Sequence, residues 1–145
     1  NNHQKLISKK YDWKVSPKPF DRTYRNFSNL DDRYENGSHD YLKFVKFGYG
    51  RTTDHSSKDI LTGYISREKG IEYVKKYDHV IPSDLDYWLK YVDMKKDEFF
   101  KIADTFRSKR VWWIKNNYWY KDNIWGKPKK YGEVFLSKKK QREFD

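Results

Sequence analysis

The chain has 145 residues, no cysteine and a formal net charge of +11. This length suits one domain, and the composition excludes disulfides and thiolate metal sites. No apolar run approaches the roughly 18 residues of a membrane span and no signal-peptide pattern is present, so we expect a soluble cytoplasmic protein. The chain begins at Asn1 and holds one methionine, Met94, which predicts a piece of a larger protein.

The positive charge is concentrated near the C-terminus. Residues 109–145 hold 11 basic and 4 acidic residues, a net charge of +7, whereas residues 39–108 hold 13 and 12 and are nearly neutral. A surface that binds polyanions needs its cations clustered on that surface. We therefore interpret the excess as a solvated, mobile basic tail, and nucleic acid is not the expected partner.

Residues 1–38 are predicted to contain the end of a helix followed by an irregular connection. The first eleven residues favour a helix whose only aliphatic side chains are Leu6 and Ile7. The rest is rich in turn residues, including Pro17 and Pro19, which are typical of irregular structure. A connection of this length is often functional.

Residues 39–108 show the periodicity of at least three amphipathic helices. Tyr41, Leu42 and Val45 form one apolar face that ends at Gly48, which is the spacing of a core-facing helix. In the later helices, the same spacing predicts burial of Leu85, Trp88, Leu89, Phe99, Ile102 and Phe106.

Two serines are predicted to cap helices in this region. Ser66 precedes a helix that runs to about Tyr77. Ser83 precedes the next helix, and Asp86 lies three residues further on in a variant of the capping box.

Residues 109–145 show weaker periodicity. The stretch "VWWIKNNYWYKDNIW" is predicted to be a helix end or a hairpin packed back onto the helices. The stretch "GKPKKYGEVFLSKKKQREFD" is predicted to be a loosely ordered tail.

The stretch "GYGRTTDH", residues 48–55, places a cation, two hydroxyls, a carboxylate and an imidazole before a helical pattern. A structural interpretation makes Thr53 or Asp54 the N-cap of that helix. A functional interpretation adds that a helix N-terminus offers free N–H groups to an anion. Gly48 and Gly50 would permit close backbone approach.

Basic side chains near this helix start extend the functional interpretation. Arg51 can bind phosphate or carboxylate through two parallel hydrogen bonds, and Lys43 and Lys46 are spaced to point to the same side. Together they predict a pocket for a phosphorylated or carboxylated ligand. No metal site is predicted, because His39 and His55 lie 16 residues apart and no metal-binding pair is present.

The stretches "HDYLKFVKFGYGRTTDHSSKDI", "GYISREKGIEYVKKYD", "IPSDLDYWLKYVDM" and "DEFFKIADTFR" resemble the C-terminal part of bacterial N-acetyl sugar amidotransferases. These enzymes act in the biosynthesis of lipopolysaccharide O-antigen and of pseudaminic-acid-type sugars, including those of flagellin. The resemblance covers about residues 1–108 and is most specific over 39–88.

The resemblance implies a mainly α fold. The chain would be the helical C-terminal portion of an α/β PP-loop enzyme, related to the adenine nucleotide alpha hydrolases. It implies ATP with Mg²⁺ as cofactor, an N-acetylated sugar as substrate and a glutaminase partner that supplies ammonia. The family is understood to activate the acetamido oxygen with ATP, after which ammonia displaces AMP and leaves an acetamidino group.

The family's Ser-Gly-Gly-x-Asp-Ser phosphate loop is missing from this chain. We therefore expect the ATP-binding domain to be absent and this part to be inactive without it. The resemblance implies that this stretch contributes to a shared active site. Our hypothesis for the roles is that Arg51 and Lys46 neutralise phosphate charge and that Asp54 or His55 orients the substrate or the attacking amine. Lys43, Gly50, Thr52 and Thr53 would contribute to substrate or phosphate binding.

Two other functions are compatible with the sequence. One is a basic aromatic module that binds single-stranded nucleic acid by stacking bases on Trp112, Trp113, Trp119 and Trp125. The other is a non-catalytic domain that docks the glutaminase.

Overall fold

The computed structural model describes residues 2–27 and 36–145. The α-helices are α1 (Asn2–Tyr11), α2 (Asn36–Phe47), α3 (Arg51–Leu61), α4 (Arg67–Tyr77), α5 (Leu85–Tyr91), α6 (Lys96–Thr105) and α7 (Lys138–Gln141). The strands are β1 (Trp112–Lys115), β2 (Tyr118–Lys121) and β3 (Lys129–Glu133), and a 3₁₀ helix spans Arg142–Phe144. The mainly α fold class is confirmed.

Helix α2 lies at the centre of the helical core. Its Tyr41 and Val45 are buried against Leu85 and Leu89 of α5 and Phe99 of α6. Trp88 is half-buried at the edge of this cluster. The predicted burial of Leu85, Leu89 and Phe99 is confirmed, as expected from their spacing along amphipathic helices.

The predicted burial of Ile102 and Phe106 is wrong, because these side chains are 44% and 54% exposed. The C-terminal half of α6 instead buries Ala103 and Asp104. Asp104 forms an ion pair of 2.9 Å with the buried Arg107, and its Oδ2 accepts the N–H of Phe135. Because the Asp104 carboxylate is paired in the interior, the face of α6 that carries Ala103 and Asp104 points inward, and Ile102 and Phe106 remain exposed.

The aromatic stretch after residue 110 forms an antiparallel sheet in the order β1-β2-β3. Asn116 and Asn117 make the two-residue turn between β1 and β2, and both have positive φ, as the favoured hairpin turns require. Of the two predicted alternatives, a helix end and a hairpin, the structure shows the hairpin.

The predictions of a loosely ordered end and of a mobile basic tail are wrong. Strand β3 pairs with β2, and Val134 and Leu136 are buried beyond it. They pack with Phe44 of α2 and with two tryptophans, Trp112 and Trp119, into a second core. Apolar burial holds this segment in place despite its lysines.

The guanidinium of Arg107 joins the two cores. It lies 4.4 Å from the ring centroid of Trp112 and 4.6 Å from that of Trp119, and it pairs with Asp104 of α6. Cation–π contact and an ion pair together compensate part of the cost of burying this charge.

One of the two predicted serine caps is confirmed. Ser66 accepts the N–H of Lys69 at 3.2 Å, and α4 ends at Tyr77 as predicted. The cap at Ser83 is wrong, because Asp84 precedes α5 in helical conformation and makes no side-chain cap. The N–H of Ser83 donates instead to Asp21.

The predicted N-terminal helix is confirmed as α1, whose Leu6 and Ile7 are exposed. Residues 12–27 have no regular secondary structure, as expected, and residues 28–35 of the predicted connection lie outside the described residues. Helix α2 begins at Asn36, inside the segment that was predicted to be irregular.

Candidate functional site

Two ion pairs join α2 to the start of α3. Nε and Nη2 of Arg51 donate to the two carboxylate oxygens of Asp40 at 2.8 and 2.7 Å. Lys43, one turn further along α2, pairs with Asp54, one turn further along α3. The bidentate grip predicted for Arg51 is therefore made with a carboxylate of this chain.

The N-terminus of α3 is capped from another element. Helix α3 begins at Arg51, and its N-cap residue Gly50 has no side chain to offer. The buried carboxylate of Asp78, at the end of α4, accepts Gly50 N–H at 2.7 Å and Thr53 N–H at 3.2 Å. It also accepts the Thr53 hydroxyl at 2.7 Å.

This arrangement corrects both interpretations of the helix start. Thr53 and Asp54 are not the N-cap, because the helix begins before them. Two of the N–H groups expected to receive a ligand anion, those of Gly50 and Thr53, already bind the Asp78 carboxylate, which fits the preference of helix N-termini for negative charge.

The two glycines before α3 do permit close approach, as predicted. A Cβ on Gly50 would lie 2.9 Å from Asp78 Oδ1 and from Arg22 Nη2. Gly48 ends α2 with φ +75°, and a Cβ there would lie 2.5 Å from Val111 Cγ1. The space is used by protein atoms.

Arg22, in the segment before α2, forms hydrogen bonds with residues around the start of α3. Arg22 is buried, and its guanidinium donates to the backbone carbonyls of Val80, Asp78 and Asp40. Its own carbonyl accepts the hydroxyl of the fully buried Thr52 at 2.6 Å. Thr52 therefore has a structural contact here.

His55 is held at the inner side of α3 by the same segment. Its Nδ1 lies 2.7 Å from Oγ1 of Thr23, and both residues are buried. The ring of Tyr24 packs edge-on to the imidazole and stacks on Tyr73 of α4.

The environment keeps the imidazole of His55 neutral. Burial, followed by the positive charges of Arg25, Arg51 and Lys58, lowers its pKa to about 4, while Asp54 acts in the opposite direction. Each of the lowering effects disfavours a second positive charge. At neutral pH the ring offers one N–H donor and one acceptor nitrogen.

A shallow groove of about 370 Å³ opens along this face of α3. Its lining consists of Arg51, Asp54, His55, Ser57, Lys58 and Leu61. Two cations, one carboxylate, a hydroxyl and the largely buried, neutral imidazole therefore line the same groove. The three predicted catalytic residues lie together in this groove.

The five predicted binding residues do not line the groove. Lys43 pairs with Asp54 at its border, and Lys46 is exposed with its ammonium over the ring of Phe47. Gly50 and Thr53 both donate to the Asp78 carboxylate. The hydroxyl of Thr52 donates to the backbone carbonyl of Arg22.

Three residues that line the groove, Ser57, Lys58 and Leu61, were not predicted as site residues. Helical periodicity could have indicated two of them, because positions 58 and 61 continue the face that begins at Arg51 with steps of three and four residues. Thr23 had no comparable signal, since it reaches His55 from 32 residues away.

Within the described residues, no group of three or more potential ligands could hold a metal ion. None of the helices in residues 2–27 and 36–145 is long and apolar enough to cross a membrane.

The structure also bears on the nucleic-acid alternative. Trp112 and Trp119 are 1% and 0% exposed, so two of the four predicted stacking platforms belong to the core. Trp125 contacts the ammonium of Lys75, and Trp113 stacks on Tyr120 across the hairpin.

These features define a mainly helical domain with a small antiparallel sheet and an open polar groove along α3. The chain belongs to the family described as "LPS biosynthesis protein WbpG-like, C-terminal domain", whose family model matches residues 21–132. No curated protein matches the chain. The family match extends beyond the expected end at residue 108 and includes β1 and β2, while α1 lies outside it.

Proposed function

We propose that this domain forms part of an ATP-dependent amidotransferase that converts an acetamido group of a sugar to an acetamidino group. Membership in a lipopolysaccharide-biosynthesis family supports a sugar-modifying role. The ammonia would come from a glutaminase partner.

ATP and Mg²⁺ would be held by another domain, because the residues of this chain do not fit them. The chain has no phosphate loop, and the N-terminus of α3 is filled by the carboxylate of Asp78. The described residues also hold no cluster of metal ligands.

The contribution of this domain would be the groove along α3. The main support is that the neutral imidazole of His55 lines the same groove as Arg51 and Lys58. Nε and Nη2 of Arg51 donate to Asp40, so Nη1 is the guanidinium nitrogen that would bind a ligand. Such a set can hold a negatively charged part of the substrate and orient the sugar by hydrogen bonds.

The test is the amidination rate of the complete enzyme with ammonia supplied directly, so that a damaged glutaminase interface cannot imitate a damaged site. Lys58→Ala and His55→Ala should each reduce the rate about 100-fold, the size typical of a lost electrostatic contact to the transition state. Lys101→Ala, on the exposed face of α6, is the control and should keep the full rate. Wild-type rates in both groove variants would reject the proposal.

A further inference from the structure

The hydrogen bond between Thr23 and His55 has a direction that its neighbours determine. Thr23 Oγ1 lies 2.7 Å from His55 Nδ1 and accepts the backbone N–H of Arg25 at 3.3 Å. A hydroxyl has one proton to donate, and a buried hydroxyl seldom leaves it without an acceptor. Among the described residues, Nδ1 of His55 is the acceptor within reach.

This direction fixes the tautomer of the imidazole. If Nδ1 accepts a proton from Thr23, the single proton of a neutral ring must sit on Nε2. The ring is neutral because it is buried among cations. The groups that face it are Thr23, Tyr24 and Arg25 from the preceding segment and Arg51, Asp54 and Lys58 from α3.

We infer that Thr23 is a positioning residue that fixes His55 as the Nε2–H tautomer, so that His55 offers a neutral N–H donor to an oxyanion in the groove. Arg51 and Lys58 supply the positive charge beside this donor. The oxyanion is a phosphate or carboxylate group, and its assignment to the substrate rests on the proposed function. A general base at this position would need a free lone pair on Nε2, which this tautomer lacks.

The tautomer can be measured without any activity. Long-range ¹H–¹⁵N correlation spectra of the full chain at pH 7 distinguish a protonated ring nitrogen from an unprotonated one. His55→Gln identifies the His55 signals among those of the four histidines. We expect a protonated Nε2 and an unprotonated Nδ1. A protonated Nδ1, or an even mixture of tautomers, would overturn the inference.

The role of Thr23 is tested by Thr23→Val, which replaces the hydroxyl with a methyl group of similar size. The variant should lose the single tautomer, while Thr23→Ser should keep it because it retains the hydroxyl. Thr105→Val, at the exposed end of α6, is the matched control. A single Nε2–H tautomer in folded Thr23→Val would show that Thr23 does not position the ring. If Thr23→Val fails to fold, loss of the tautomer in Thr23→Ser would refute the role.

The oxyanion is tested with inorganic phosphate as the probe. Phosphate should shift the Nε2–H signal of His55, and His55→Ala, which removes the donor, should weaken phosphate binding roughly two- to tenfold, as expected for one neutral hydrogen bond. A phosphate titration that leaves the His55 signals unchanged would overturn this part of the inference. These spectra do not depend on amidination, so a failed activity test with an intact Nε2–H donor would reject the proposed reaction alone.

Discussion

Replacement of Asp78 by alanine should destabilise the domain more than the loss of an ordinary helix cap does. The lost carboxylate accepts three hydrogen bonds at the start of α3, two of them from Gly50 and Thr53 N–H groups. It is also a charge partner of the buried cations Arg22 and Lys121. A cap alone contributes about 1 kcal/mol, but each buried donor left without its acceptor costs about 1–3 kcal/mol, so the loss of three such bonds should cost about 3–5 kcal/mol.

We therefore expect Asp78→Ala to lower the free energy of unfolding by about 3–5 kcal/mol, measured by urea denaturation followed by circular dichroism. Glu72→Ala, on an exposed face of the same helix, removes a surface ion pair with Lys69 and should change it by less than about 1 kcal/mol. A loss below about 1 kcal/mol in Asp78→Ala, with an unchanged denaturant slope, would refute the capping role.

Three further substitutions test other parts of the structure. The pKa of His55 is about 4 in the folded protein, against an ordinary value of 6.5 that applies to the unfolded chain. As the pH falls from 6.5 to 4, the imidazole is therefore protonated mainly in the unfolded chain, and about 3 kcal/mol of folding stability should be lost over this range. His55→Gln should lack this loss when urea unfolding is compared at the two pH values, and an unchanged pH dependence would contradict the assignment. Arg107→Lys loses the planar contact with two tryptophans and should cost about 2 kcal/mol by thermal unfolding; an unaltered melting temperature would contradict that. Gly48→Ala should lower the free energy of unfolding clearly more than Gly63→Ala. Both glycines have positive φ, but only at Gly48 would the added Cβ lie against Val111. Equal losses of stability would argue against close packing at Gly48.

The helical core was largely predictable because its signal is local. Leu85, Leu89 and Phe99 lie on amphipathic helices, and their spacing places them inside. The same spacing failed for Ile102 and Phe106, because a buried ion pair turned the neighbouring face of α6 inward. Charged residues that become buried through a distant partner give no periodic signal.

The groove was predictable only in part, for a similar reason. Arg51, Asp54 and His55 stood out because four different polar groups followed two glycines, and the structure brings these three together. Their neighbours came from elsewhere: Asp40 binds Arg51, and Thr23 binds His55. Asp78 was missed as the cap because it lies 25 residues beyond the Thr53 N–H it accepts.

Strand β3 was not predicted because four of its five residues are charged or glycine, and only Tyr131 is hydrophobic. Lys129 and Lys130 resemble a solvated segment, and they are indeed exposed. The segment is ordered through backbone pairing with β2 and through burial of Val134 and Leu136 after it. Charge patterning indicated the exposure of the side chains but not the order of the backbone.

The most direct test of the groove is a crystal structure of the complete enzyme with its N-acetylated sugar substrate bound. We expect an oxyanion of the substrate within about 3.2 Å of His55 Nε2, with Lys58 and Nη1 of Arg51 bound to the same ligand. A substrate bound at another site, with the groove along α3 open to solvent, would show that this groove is not the substrate site.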